Sequence, residues 1–247
     1  MSGLTFNGKH SFTDMGLIMF SKNRPIRPEP KSIIEDIPGM DGELDYSAVN
    51  PDNRVKYKSV TDEIEFLFAE KSMANVRTKA HLIAAWLACG EAQLIYDDDP
   101  NVYYLAMAAN RLDLENQIIK LRRFTIQFKR RPFGFSTTLF NQAYVVTEPA
   151  SKVIANPGLF VRPKFTLTGV FTTLTLTCGS KTLTYNEANA GASIVIDNMQ
   201  CIKDGSINKN NMLSGEFFEF VNGNNTLIIG GTGLNCTVTV TFRPQYL

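Results

Sequence analysis

The alternation of apolar and polar residues changes character along the chain, and that change divides it in two. Asp62 to Phe68 places Ile64, Phe66 and Phe68 on one face and Glu63, Glu65 and Leu67 on the other, the period of a strand with one buried side. Phe124, Ile126 and Phe128 alternate with Thr125, Gln127 and Lys129 in the same way. Ala92 to Tyr96 and Val102 to Ala108 predict two further strands around a turn at Asp97–Asn101, and Phe12 to Phe20 predicts an early strand. One helix is expected between them. Asn75 is its candidate N-cap, Val76, Ala80, Ile83 and Leu87 form a stripe at helical spacing, and Leu82 and Trp86 widen that stripe. Gly90 stands where a C-cap glycine belongs.

Between the early strand and Val60 the pattern weakens into an arm. Pro25, Pro28 and Pro30 cannot donate to a ladder, so this run reads as an extended edge or connector. Lys31 to Ile37 is β-prone, Pro38, Gly39, Met40, Asp41 and Gly42 carry turn chemistry, and Leu44 to Tyr46 returns. Asn50 to Asn53 reads as another turn. Such an arm holds too few large apolar residues to bury itself.

Beyond Arg131 the helical signal disappears. A weakly patterned stretch to Pro157 reads as the junction. Short β-rich runs follow at Lys164–Thr168, Thr172–Cys178, Lys181–Tyr185, Ser193–Asp197, Glu216–Val221, Thr226–Ile229 and Cys236–Phe242. Turns separate them, among them Asn222–Asn225 and Gly230–Gly233. The fold class predicted is an α+β N-terminal domain over residues 1–135, with antiparallel sheets, one helix and a long β-hairpin arm. A linker and an all-β jelly-roll sandwich over residues 136–247 complete it.

Composition sharpens this only by exclusion. The 247 residues are 44% apolar, enough for packed cores. Twenty-five basic against 24 acidic residues give no basic field for nucleic acid or an anionic membrane. No apolar run approaches a membrane span, and the first ten residues lack the form of a signal peptide. Cys89, Cys178, Cys201 and Cys236 lack metal-ligand spacing and read as reduced thilos of a cytoplasmically made protein.

Candidate chemistry is sparse. His10 and His81 are the only histidines and offer no triad or metal cluster. Asp97–Asp99 lacks the spacing of a calcium loop and reads as a solvated turn. Gly230–Gly233 is flanked by strands, so it offers no helix N-terminus to a phosphate. Lys129–Arg131 reads as a solvated strand end. No catalytic residue, metal or cofactor is assigned, and a binding or structural protein is expected rather than an enzyme.

Phe6-Asn7-Gly8-Lys9-His10-Ser11 followed by Met15-Gly16-Leu17-Ile18 resembles the opening of siphovirus (phage or prophage) distal tail proteins. The resemblance continues through Ile34 to Asp45, the helix ending in Ala85-Trp86-Leu87, Leu94 to Asp98, Phe124 to Phe128 and Pro132-Phe133. Gly215 to Phe218, Asn222 to Ile228 and Phe242 to Leu247 are similar to the closing strands of that family. The arm turn departs at one position, Met40-Asp41-Gly42 standing where an aspartate-rich or Arg-Asp-Gly form is usual. The resemblance covers nearly the whole chain and implies a homohexameric ring built by the N-terminal domain, in some members two stacked rings. It implies a galectin-like outer domain and a place in the virion tail tip after synthesis in the host cytoplasm. The implied partners are the tail-tube protein, a tail-associated tip protein and receptor-binding protein, with DNA passing through the channel.

On that reading Ile33, Ile34, Ile37, Leu44 and Tyr46 supply inter-subunit contacts of the arm, and Pro38, Gly39, Asp41 and Gly42 set its turn. Thr125, Gln127 and Lys129 are the channel-facing candidates. The alternative is a carbohydrate-binding adhesion module, gripping sugar through Tyr185, Phe218 or Phe220.

Overall fold

The structure is a computed structural model that describes residues 3–49, 53–68, 73–110 and 123–247. Except for Asn53, the turn expected at Asn50–Asn53 lies outside the described residues, as does the Val76 side chain. The chain divides into two compact units, Met1–Gly134 and Phe135–Tyr246.

In the first unit the strands are β1 (Leu4–Phe6), β2 (Lys9–His10), β3 (Leu17–Asn23), β4 (Ile34–Asp36), β5 (Glu43–Asp45) and β6 (Val60–Phe68). Helix α1 (Met73–Leu87) follows, then β7 (Ala92–Tyr96), β8 (Asp99–Ala108) and β9 (Arg123–Ser136). One antiparallel sheet runs in the order β2-β1-β7-β8-β9-β6-β3. Ile64, Phe66, Phe124, Ile126 and Phe128 point from β6 and β9 into a core that also contains Ala80, Ile83, Trp86 and Leu87 of α1. The Trp86 Nε1–H donates to the Phe6 carbonyl at 2.7 Å, and the Trp86 ring meets the Phe6 ring edge-on at 5.9 Å. That hydrogen bond gives the buried indole N–H a partner while the ring fills the core. Strands β4 and β5 belong to neither the sheet nor its core; they pair only with each other.

The second unit contains β10 (Phe140–Val146), β11 (Ala150–Val161), β12 (Lys164–Phe171), β13 (Thr173–Cys178), β14 (Lys181–Tyr185) and β15 (Asn189–Ala190). It continues with β16 (Ile194–Asp197), β17 (Gln200–Lys203), β18 (Ile207–Asn208), β19 (Leu213–Gly215), β20 (Phe220–Thr232) and β21 (Asn235–Phe242). One sheet runs β10-β21-β12-β16-β17-β18 with β15 beside β12, and a second runs β11-β20-β13-β14-β19. Their inward residues share one core, with Phe165, Leu167, Leu176, Phe220, Leu227, Val238 and Val240 among them.

Several expectations need correction. The predicted fold class, an α+β domain followed by a galectin-like jelly roll, gives way to a mostly β chain. Among the described residues a single 15-residue α-helix stands beside 22 strands in several sheets, the last of them β22 (Gln245–Tyr246). Asn75 lies inside α1 rather than capping it, Leu82 is exposed, and Gly90 lacks the positive φ of a capping glycine. The junction from Arg131 to Pro157 contains β10, most of β11 and the end of β9. The glycines Gly230 and Gly231 are part of β20, where a Cβ on Gly231 would collide with the Thr173 carbonyl.

Asn222–Asn225 is no turn but an irregular stretch within β20, paired with β11 across a register shift. Asn225 makes this possible because its buried side chain replaces ladder bonds. Its Oδ1 accepts from the Val221 N–H at 2.9 Å, and its Nδ2 donates to the Val221 and Gly223 carbonyls at 2.8 and 3.1 Å. Replacing it by alanine strands these groups and should destabilise the second unit by about 1–3 kcal/mol, read as a fall in its thermal unfolding midpoint. An unchanged midpoint would show that the bulge does not depend on this side chain.

Candidate assembly surface

The arm begins and ends at a buried charged cluster. Asp62 on β6 and Arg130 on β9 are opposite charges with almost no solvent exposure. Arg130 Nε donates to Asp62 Oδ2 at 2.8 Å, and the Tyr96 hydroxyl donates to the same oxygen at 2.8 Å. A second guanidinium N–H of Arg130 reaches the Pro25 carbonyl at 3.2 Å and so ties down the first proline of the arm. Arg24, one residue earlier, lies over the Tyr96 ring at 4.2 Å and pairs with Asp98 at 3.4 Å. Lys22 pairs with Asp98 as well.

Electrostatics follow from this geometry. Burial pushes the Asp62 carboxyl upward against the pull of Arg130 and the Tyr96 hydroxyl. Burial, then the Asp62 charge, pushes the Tyr96 phenol far up, so it remains a hydrogen-bond donor. At the surface the Lys22 hydrogen bond, helped by Arg24, holds Asp98 below the usual carboxylate range.

From this root the arm leaves as a ladder. Lys58 N–H donates to the Glu29 carbonyl at 2.8 Å and Lys31 N–H to the Lys56 carbonyl at 2.7 Å, with Pro30 opposite Tyr57. Pro30 sits where no N–H is required, which is why the proline-rich run can pair at all. Beyond it β4 and β5 match Ile34 with Asp45, Glu35 with Leu44 and Asp36 with Glu43. Gly39 and Gly42 take positive φ of 88° and 85° in the turn that also holds Pro38 and Asp41. Tyr46 N–H donates to the Ile33 carbonyl at 2.8 Å, extending the pairing by one step.

The period of two then sorts the side chains. Ile33, Ile37, Leu44 and Tyr46 fall on one face with Glu35 among them; Asp36, Glu43, Asp45 and Ile34 fall on the other. The apolar face is uncovered, Ile33 being 60% and Tyr46 37% exposed, with Leu44 half-buried. Five predicted contact residues thus lie on the hairpin, four on its apolar face and Ile34 on its acidic one.

Thr125, Gln127 and Lys129 stand on the face of the sheet opposite the core. Their register partners there are Glu65, Glu63 and Thr61 on β6. Gln127 Nε2 donates to Glu63 at 2.9 Å, Ser21 donates to Glu65 at 3.2 Å, and Arg123 lies 4.0 Å from Glu65. The β6–β9 part of this face is polar, its two carboxylates Glu63 and Glu65 lying among Gln127, Arg123 and Lys129.

The rings proposed for sugar stacking are elsewhere. Tyr185, Phe218 and Phe220 are buried in the core of the second unit, and the Tyr185 hydroxyl donates to Glu187. Exposing them would dismantle the core, so they offer no sugar platform.

Residues 10–129, which include the charged root, the hairpin and the polar face, match the family model of the phage tail protein RIFT-related domain. The entire chain superposes on the entire SPP1 Dit (gp 19.1) protein with a TM-score of 0.75. That protein's crystal structure is described as a paradigm of the hub adsorption apparatus in phages infecting Gram-positive hosts. The two chains are 12% identical, so the likeness is one of fold. No curated protein matches the chain by sequence. Residues 10–129 are thus similar to the phage tail protein RIFT-related domain, and the whole chain shares the fold of the SPP1 Dit protein.

The hairpin is legible in the sequence; its root is not. Arg130 was expected to be a solvated strand end, whereas it is buried on Asp62; Asp97 and Asp98 do form the exposed turn expected between β7 and β8, and Asp98 there also holds Lys22 and Arg24. Asp97 accepts from the Gly3 N–H at 2.6 Å and pairs with His10. An aspartate at a position where β6 turns its apolar side inward was the available signal, since Asp62 falls in phase with Ile64 and Phe66.

Arg130→Ala would leave Asp62 buried without its cation and should cost about 3–5 kcal/mol, measured by denaturant unfolding. A loss below about 1 kcal/mol would place the pair among weakly coupled surface bridges. The Asp98 contribution has the opposite pH sense to a raised group. Its lowered folded value means the stabilisation is full above the unfolded value of about 4 and is lost as pH falls through the lower folded value. Asp98→Asn should therefore melt below the parent protein at neutral pH, and the gap should close as pH falls through the lowered folded value of Asp98. A gap that persists in acid would contradict the pairing.

Proposed function

We propose that this chain is a siphovirus distal tail protein that closes into a hexameric ring at the end of the tail and acts there as the hub joining tail tube to tip apparatus. The observation that carries the reading is the hairpin, held by a buried charge pair at its root while its own apolar face has no cover in the monomer. A surface of that kind gains by lying on a neighbour, and a ring needs contacts between two different patches. The polar face bearing Thr125, Gln127 and Lys129 lines the central channel in this reading. Its balanced charges let DNA pass, because a wall that neutralises few phosphates gains little affinity. The second unit points outward and carries the attachment of further tip or receptor-binding proteins.

Deleting Ile33–Leu44 tests the reading, since that segment belongs to neither core. The variant should remain folded by circular dichroism and run as a monomer by light scattering where the parent protein assembles. Rings that persist after the deletion would overturn it. For the channel wall, Glu63→Lys with Glu65→Lys should turn a ring that ignores DNA into one that retains it, weakening steeply between about 50 and 200 mM salt. Equal DNA retention by both proteins would remove these strands from the lumen.

A further inference from the structure

We infer that the outer face of α1 is the seat on which the hairpin of the neighbouring copy lies. This deepens the ring reading and rests on it. The hairpin states what its seat must offer. Its apolar face needs an apolar surface about 13 Å long, the span from Ile33 to Ile37 at strand rise. Glu35 sits on that face, and between Ile33 and Tyr46 there are five carboxylates (Glu35, Asp36, Asp41, Glu43, Asp45) with no lysine or arginine. The seat must therefore supply cations and lack carboxylates, since a like charge opposite Glu35 would oppose docking.

The other surfaces of the first unit fit this poorly. The polar face of the sheet would set Glu63 and Glu65 against Glu35. Strand β3 is the longer of the two end strands of the sheet, but a register shift between Met19 and Ser21 breaks its line of backbone groups, and the Arg123 guanidinium already covers the Phe20 ring at 4.0 Å. Such bulges are a way of blunting edges against pairing.

Helix α1 meets each requirement. Residues 73–87 include Arg77, Lys79 and His81 and no aspartate or glutamate. Its inward stripe of Ala80, Ile83, Trp86 and Leu87 is spent on the core. Outward it shows Leu82, 58% exposed, beside a ridge of Thr78, exposed His81, Ala85 and Ala88. From Thr78 to Ala88 the surface is about 15 Å long at helical rise, which matches the hairpin face. Ala85 and Ala88 let a strand pair approach closely beside Leu82, and exposed Arg77, on the opposite edge of the outer face about 140° around the helix from Leu82, is the cation assigned to Glu35. Leu82 and the apolar face of the hairpin are both exposed within one chain, so the hairpin does not serve its own helix. One uncovered hairpin and one uncovered helix face per copy is the stoichiometry of head-to-tail closure.

The test compares four full-length variants with the parent protein by mass photometry and circular dichroism: Leu82→Glu, Arg77→Glu, Glu35→Arg, and Glu35→Arg with Arg77→Glu. Leu82→Glu should keep the parent's circular dichroism spectrum and raise the concentration at half-assembly by about tenfold or more. Each single charge reversal should weaken assembly, and the double reversal should restore it. If Leu82→Glu and Arg77→Glu assemble like the parent while the Ile33–Leu44 deletion is monomeric, the seat is elsewhere and the arm reading stands. A double reversal no better than its singles overturns the Glu35–Arg77 pairing. If the deletion variant still forms rings, or the parent protein never assembles, the ring reading fails and this inference with it.

Discussion

Arg130 and Asp62 hold together two things that could otherwise move apart: the central strands of the first sheet and the root of the arm. The hairpin cannot hold itself. A two-stranded ribbon is at best marginal in water, and β4 and β5 contribute nothing to either core. What fixes its departure is the guanidinium that answers a buried carboxylate and, with another N–H, the Pro25 carbonyl. Removing one partner from such a pair leaves an uncompensated charge, so selection for a folded sheet also preserves the direction of the arm.

From that anchor the first unit separates its duties by the pleat. On β6 and β9 one set of alternating residues packs under α1, and the other set forms a polar face with matched charges. The helix repeats the separation at its own period, Ile83 and Trp86 inward and Leu82 outward. The proposed channel wall, hairpin and seat are therefore consequences of residues placed in or out of phase with one core. In the second unit the two sheets instead spend their inward residues on each other.

Much of this was legible in the sequence wherever a strand buries one side. Asp62–Phe68, Ala92–Tyr96 and Lys181–Tyr185 appear as strands at or near their observed bounds, because alternation there reports burial directly. The hairpin was legible from its prolines and from Gly39 and Gly42. Strands β10 and β11 were not, since each lies at the edge of its sheet, and β11 tolerates Pro157–Gly158 that a central strand would reject. The Asn222–Asn225 stretch misleads because asparagine and glycine usually make turns, whereas here a buried amide substitutes for the ladder. Asn7–Gly8 carries the hairpin signature and does form the tight turn between β1 and β2, though neither short strand was expected. Arg130 and Asp62 are 68 residues apart, and their pairing depends on sheet register that no local pattern states.

In the proposed assembly the first unit is completed by copies of itself around a hole. Mass measurement with negative-stain imaging of the full-length protein, alone and mixed with tail-tube and tip proteins, tests it most directly. Closed rings with a central opening and a mass of six chains, or of a stacked pair of such rings, are the expected result. Strictly monomeric particles under every one of these conditions would contradict it.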